Sequence, residues 1–168
     1  MATVDLTKYS VQKKLNRMDV DVITSAPDIA EATYATTQLM CESENITDVL
    51  TVPGGKCILQ SITAIDTSDT GGAITVVITD ATASDMGTVG STVAMADAGA
   101  DNSVAIIELT NWIDVGGAKI CSKGNIGLVL IGGASTQTLH YGVFNSSGSN
   151  IVIDSGEDII FQFGVIRD

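Results

Sequence analysis

Short runs of β-branched and other apolar residues, divided by clusters of Gly, Asp, Ser and Asn, constrain this sequence more than any other feature. From residue 46 onward these runs continue to the last residues of the chain. The segments ITVVIT and DIIFQFGVI place a large apolar residue at every second position. Strands of this kind, separated by turn-forming clusters, are typical of antiparallel sheets. We therefore predict an all-β fold, either an antiparallel β-sandwich or a jelly-roll-like barrel.

The N-terminal part of the chain has a different pattern. Val11, Leu15 and Met18 recur at i, i+4 and i+7, a spacing that permits a short amphipathic helix. Residues 26–43 are small and polar and show no clear period, which indicates an extended connector that can contribute a strand. We therefore predict an extended N-terminal arm and connector at residues 1–45, followed by a β-sandwich or barrel domain at residues 46–168.

Charge is distributed unevenly between these two parts. The first 17 residues hold one acid and four cations, whereas the remaining 151 hold nineteen acids and four cations. An acidic body without a basic stripe repels phosphate groups, so we predict that nucleic acid is not a partner. A basic arm on an acidic body predicts that the arm contacts a different partner from the one that the body contacts. The cations of the arm are Lys8, Lys13, Lys14 and Arg17.

The chain is apolar on average despite its formal charge of −12, with a mean hydropathy of +0.32. In the last strand the face opposite the large aromatic residues carries Ile160 and Ile166 beside Gln162 and Gly164. Apolar residues on both faces of one strand predict that a second sheet or a neighbouring subunit covers it. Self-association is therefore expected.

The segment MATVDLTKYS has no apolar core of the signal-peptide kind, and no run approaches the ~18 apolar residues of a membrane span. We expect the chain to fold in a cytosol without a membrane partner. Its three cysteines, Cys41, Cys57 and Cys121, are odd in number and form no C-x-x-C pair. They are predicted to be reduced, buried and free of metal.

The stretch TVPGGKCILQ resembles a phosphate-binding loop only superficially. Such a loop needs G-x-x-x-x-G-K-[ST], but Leu50 stands where the first glycine belongs and Cys57 where the hydroxyl belongs. A turn followed by a strand is therefore predicted, and no nucleotide cofactor.

Aspartates in DTSDTGG, TDATASDMG and ADAGADN offer oxygen ligands for calcium, but none of these segments has EF-hand spacing. Aspartate also favours turns through its own side-chain hydrogen bonds, and this is the reading that we prefer. No metal site is predicted.

Enzymatic motifs are weak. His140 is the only histidine and lies within an alternating strand pattern, and the sequence has no G-x-S-x-G elbow. We predict that the protein is not an enzyme. The aromatic residues Trp112, Tyr141, Phe161 and Phe163 are predicted to anchor the core or an oligomer interface.

From Gly54 to Asp168 the chain resembles the small all-β capsid decoration, or cement, proteins of tailed bacteriophages. The resemblance rests on the order of the segments GGKCILQSITAID, ITVVITD, NWIDVGGAKICSKGNIGLVL, LHYGVFNSSGSN and IIFQFGVIRD.

This resemblance implies a non-enzymatic virion protein, often a trimer, that sits on the outer surface of an icosahedral head and clamps adjoining subunits of the major capsid protein. On this hypothesis the arm residues that bind the capsid are Lys8, Val11, Lys13, Lys14, Leu15, Arg17 and Met18. A tail or fibre component is the alternative within the virion. A carbohydrate-binding β-sandwich that uses Trp112 and Tyr141 is the alternative from another class.

Overall fold

The computed structural model describes residues 19–80, 86–154 and 159–167. These residues form twelve strands and one short helix. The elements are β1 (Asp19–Ser25), β2 (Ala32–Tyr34), β3 (Leu39–Ile46), β4 (Lys56–Asp66), β5 (Ile74–Thr79), α1 (Asp97–Asp101), β6 (Ser103–Leu109), β7 (Trp112–Asp114), β8 (Lys119–Lys123), β9 (Leu128–Ile131), β10 (Leu139–Asn145), β11 (Ile151–Ile153) and β12 (Ile159–Arg167).

The strands form two large sheets and a small one, and every strand pairing is antiparallel. The six-stranded sheet has the order β1-β12-β4-β8-β7, and β9 also pairs with β4. The four-stranded sheet has the order β3-β10-β5-β6, and β2 pairs with β11. The predicted all-β, antiparallel sandwich is confirmed, whereas the described strands do not close into a barrel.

The folded body begins before the predicted domain boundary at residue 46. Strand β1 pairs with β12, and β3 pairs with β10, so residues predicted as arm and connector are part of both large sheets. The boundary is corrected accordingly, because these strands take their ladder hydrogen bonds from the C-terminal half of the chain. The rest of the predicted arm, residues 1–18, lies outside the described residues.

The main core lies between the two large sheets. In β12 the predicted alternation is observed, since Ile159, Phe161, Phe163 and Val165 are all buried. Tyr141 of β10 reaches across from the other sheet, and its ring lies edge-on to Phe161 at 5.5 Å and to Phe163 at 5.2 Å between centroids. These three rings therefore form the centre of the sandwich rather than a surface.

The outer face of the four-stranded sheet has its own cover. Val77 of β5 and Leu39 of β3 form a second apolar cluster with Met86, and Val93 and Met95 pack against this cluster. Gly142 of β10 provides the space, since a Cβ atom at this position would collide with the Met86 sulfur. The segment that follows residue 85 thus shields one outer face of the sandwich.

The stretch TVPGGKC is a turn that leads into β4, as predicted. Gly54 has a φ of 67°, the Gly55 amide donates to the carbonyl of Val52, and Lys56 is the first residue of the strand. Because β4 continues as a strand and not as a helix, no helix N-terminus faces this turn to bind a phosphate.

Candidate interaction face

The outward side chains of the six-stranded sheet form two aliphatic rows that cross the strands. We call this surface the outer sheet face. The first row contains Val20, Ile166, Ile58 and Val129, which are consecutive partners on β1, β12, β4 and β9. The second row contains Ile160, Ile65, Ile120 and Ile113, which are consecutive partners on β12, β4, β8 and β7.

Strand pairing sets the geometry of each row. Side chains directly opposite one another on neighbouring strands have Cβ atoms about 4.5–5.5 Å apart, so each row is a continuous apolar ridge. Ile58 and Ile65 are seven residues apart and would point to opposite faces of a regular strand. A bulge places the extra residue Gln60 of β4 opposite the step from Gly164 to Val165, and it brings both isoleucines to the same face.

Both rows remain accessible to solvent. Val20 is 79% exposed, Ile113 is 68% exposed and Val129 is 53% exposed. The isoleucines in the middle of the rows are half-buried. By contrast, Val77 on the outer face of the other sheet is 3% exposed beneath its own cover. Large, contiguous apolar surface of this kind is a mark of protein interaction sites.

Two further rows lie between the aliphatic rows. The mixed row contains Val22, Gly164 and Ser61, which are consecutive partners on β1, β12 and β4, and beside it lies a polar row. The polar row contains Thr24, Gln162, Thr63 and Ser122, again as consecutive partners across four strands. The hydroxyls of Thr63 and Ser122 are hydrogen-bonded at 2.6 Å. The polar row is uncharged, and amide and hydroxyl groups both donate and accept hydrogen bonds. It can therefore pair with many polar surfaces without the cost of burying a charge.

Charge is nearly absent from the outer sheet face. Among the described residues, Lys56 is the only charged residue whose position in the strand alternation points outward on this sheet. The whole chain carries 20 acidic residues, so a face without any carboxylate contrasts with the rest of the molecule. Depletion of charge with retention of large aliphatic side chains is typical of the centre of an interface.

The residues predicted as functional from the sequence that the structure describes do not lie on this face. Tyr141, Phe161 and Phe163 are core residues with exposures of 1%, 0% and 0%. Trp112 starts β7 and is half-buried against the main core, and its Nε1 atom is buried. The predicted capsid-binding residues Lys8, Val11, Lys13, Lys14, Leu15, Arg17 and Met18 lie outside the described residues.

The glycan-binding alternative needs a correction. Tyr141 cannot stack on a sugar because its ring is enclosed by Phe161 and Phe163, and its hydroxyl donates to Ser25 Oγ at 2.8 Å. Within the part of the chain that the structure describes, every aromatic side chain is buried or half-buried. A flat, exposed aromatic platform is therefore not formed by these residues.

Burial favours the neutral forms of the three cysteines and of the histidine. Burial raises the pKa of the Cys41 thiol to about 12 and that of Cys57 to about 11. Burial also raises the pKa of Cys121 and lowers that of His140. At neutral pH the thiols are protonated, and His140 loses its proton more easily than a free histidine does. All three cysteines are free and buried.

Asp66, in the segment DTSDTGG, has a structural role in the turn after β4. Its carboxylate accepts hydrogen bonds from the amides of Ser68 and Gly71 and from the Ser68 hydroxyl, and the residue is 1% exposed. The carboxylate therefore closes the turn after β4. In residues 19–80, 86–154 and 159–167 no group of three or more His, Cys, Asp or Glu side chains is placed to hold a metal ion.

Replacing Asp66 with alanine should lower the free energy of unfolding by about 1–3 kcal/mol, because two amides and a hydroxyl lose their acceptor. The free energy of unfolding of both proteins is measured by denaturant unfolding, once in EDTA and once in millimolar calcium. The loss should be the same in both solutions. Asp69→Asn is the control, since Asp69 is exposed in the same turn and asparagine also accepts its left-handed φ of 56°. A loss seen only with calcium would indicate a metal ligand instead.

In the described residues no helix has the length and apolar character that a membrane crossing requires.

Comparison with known proteins gives little further guidance. No protein-family model and no curated protein matches the chain. Among solved structures, a chain in "Structure of a marine algae virus of the order Picornavirales" is similar with 14% sequence identity and a TM-score of 0.19. The match covers 89% of this chain and 66% of that chain. A TM-score this low does not indicate a shared fold and carries no argument about function.

Proposed function

We propose that this protein is a virion structural protein that decorates the outer surface of an icosahedral phage head and stabilises contacts between major capsid subunits. The outer sheet face carries this proposal, because among the described residues its two aliphatic rows without a carboxylate suit the permanent subunit contacts that an assembled virion protein makes. The order of sequence segments shared with phage decoration proteins supports the same role. Clamping needs little affinity per copy, since many linked contacts act together.

Attachment to the head is assigned to the arm. The arm has four cations and an apolar stripe of Val11, Leu15 and Met18. These groups suit contact with a surface other than the one that the acidic body contacts. The arm leads directly into β1 at Asp19, which is the first residue of the six-stranded sheet. An attached arm would therefore hold the body close to the shell.

Deleting residues 2–18 should abolish co-sedimentation with heads while the body stays folded. The deletion must stop before β1, because Asp21 of β1 forms an ion pair with Arg167 of β12 and the two strands pair along their whole length. We expect at least a tenfold loss of bound protein at equal concentration, measured with heads that lack the native protein.

Two results would contradict the assignments. Undiminished binding of the truncated chain would show that the body makes the attachment. An image reconstruction that places the chain in the tail or in a fibre would overturn decoration of the head. A variant with glutamine at the four basic positions of the arm serves as a control, since it keeps the apolar stripe and removes only the charge.

A further inference from the structure

We propose that the outer sheet face is covered by the same face of a second copy of this chain, related by a two-fold axis. The inference rests on the proposed function, since it names the partner of the surface that carries that function. Three properties of the face argue for this partner: its charge, its order of rows and its size.

The charge argument follows from the composition of the chain. A basic partner would be attracted by carboxylates, and an acidic chain has many to offer. The outer sheet face instead excludes them, although the chain has 20 acidic residues. A second copy brings the same net charge of −12, so the two molecules can approach closely only through a surface that is free of acids. The absence of carboxylates is what an identical partner requires.

The order of the rows is self-complementary. Four rows follow one another along the strands: an aliphatic row, the mixed row, the polar row and a second aliphatic row. A two-fold axis in the plane of the interface, parallel to the rows and midway between the two inner rows, brings the first aliphatic row over the second. The polar row of one copy then meets the mixed row of the other. In an isologous contact both subunits use the same patch. This order of rows therefore allows the face to pair with the same face of an identical chain.

The polar row gains partners in this arrangement. Gln162, Thr63 and Ser122 each carry both a donor and an acceptor, and they face the mixed row of the second copy, where the Ser61 hydroxyl can pair with them. Lys56, the one outward cation, lies at the end of β4 beside Ile131 and so at the edge of the face. Its ammonium group can stay in water when the centre is covered.

The size of the face matches that of a stable interface. With strands about 4.8 Å apart and a rise of roughly 3.3 Å per residue, the residues of the six strands cover roughly 600 Å². This lies at the lower end of the roughly 600–1,000 Å² per partner that specific, stable interfaces bury. Two such sheets can pack face to face with a separation of about 10 Å, as the two sheets of a β-sandwich do.

The test is the mass of the full-length chain in solution, measured by light scattering after gel filtration. We expect twice the 17.3 kDa of one chain at micromolar concentration. Ile113→Glu places a carboxylate in the second row, and Val20→Glu places one in the first row. Each change occurs twice in the pair and should weaken association by about a hundredfold or more, so that the variants elute as monomers.

Ile106→Glu is the matched control. Ile106 is an isoleucine on an edge strand with the same exposure as Ile113, 68%, but it belongs to the four-stranded sheet. The substitution should leave the mass unchanged. Circular dichroism and thermal unfolding of all three variants show that each is folded, which is expected because the replaced side chains are more than two-thirds exposed.

Other occupants give other results, and each would overturn the proposal. A chain that stays monomeric at about 100 μM would indicate that the arm of the same chain or the capsid covers the face. A mass of three copies would exclude a simple two-fold pair. A dimer that survives Ile113→Glu and Val20→Glu would place the contact elsewhere. A monomer that still binds heads would contradict this inference alone, whereas a dimer that binds no heads would contradict only the decoration role.

Discussion

Replacing Phe163 with alanine is expected to lower the free energy of unfolding by about 3–5 kcal/mol. The Phe163 ring is fully buried and lies 5.2 Å from the Tyr141 ring and 6.3 Å from the Phe161 ring, between centroids. Its strand partners are Ile23 of β1 and Ile62 of β4, so the ring supports the centre of the six-stranded sheet. Truncation would leave a cavity where the two sheets meet, and rigid strands cannot collapse to fill it.

Denaturant unfolding at several protein concentrations measures this loss and separates it from any effect on association. Thr33→Ala is the control, because Thr33 is exposed, precedes the buried Tyr34 in β2 and lies outside the outer sheet face. It should change the free energy of unfolding by less than about 1 kcal/mol. If Phe163→Ala cost as little as the control, the aromatic cluster would not be the centre of the core.

The alternation of residues was sufficient to predict this core. In β12 and β10 the large apolar residues recur with the period of a strand, and the buried side of each strand is the one that the pattern indicates, whereas β5 is buried on both faces. The inward face of β12 was unambiguous because it is aromatic. Local period and side-chain size are visible in a single sequence, so a core built from them can be predicted.

The first strands were predicted only in part, for a physical reason. β2 and β3 contain small and polar residues such as Thr33, Ser43 and Asn45, which carry little β signal of their own. They become strands because β11 and β10 offer them ladder hydrogen bonds. In β1, the alternation of Asp and Val in DVDVIT is a signal that could have been used.

The outer sheet face could be predicted only in part. Ile160 and Ile166 indicated that β12 needs cover on its second face. The rows themselves depend on which strands pair, and β4 takes β9 beside its first half and β8 beside its second half. They also depend on the bulge at Gln60, which no local pattern announces and which explains why Ile58 and Ile65 fit a helical spacing equally well. Register across distant segments is not encoded in local periodicity.

Asn145 is the buried polar residue whose replacement should be most informative. It is fully buried at the end of β10, and its Nδ2 donates to the carbonyls of Tyr34 and Ser149 at 2.8 and 2.9 Å. Its Oδ1 accepts from the amide and the hydroxyl of Ser147. The side chain thus joins the loop after β2 to the turn that leads to β11. Every polar atom of the amide is used, and burial makes each bond costly to lose.

Asn145→Asp keeps the shape of the side chain but turns its two donor contacts into contacts between a carboxylate and two carbonyl oxygens. At pH 8 the free energy of unfolding should fall by about 3 kcal/mol or more. Burial and the facing carbonyls raise the pKa of the new carboxyl in the folded state above its unfolded value of about 3.9. The folded state then binds the proton more tightly, so part of the stability should return as the pH falls toward 5 and be lost again as it rises.

Denaturant unfolding at pH 5 and pH 8 measures this dependence against the unaltered protein. Asn150→Asp is the control, since Asn150 is exposed in the same turn and undergoes the same change of charge. The control should shift stability by about 0.5 kcal/mol or less at both pH values. A loss for Asn145→Asp that does not depend on pH would show that the carboxyl finds solvent, and the amide would then not be the fixed point between the loop and the turn.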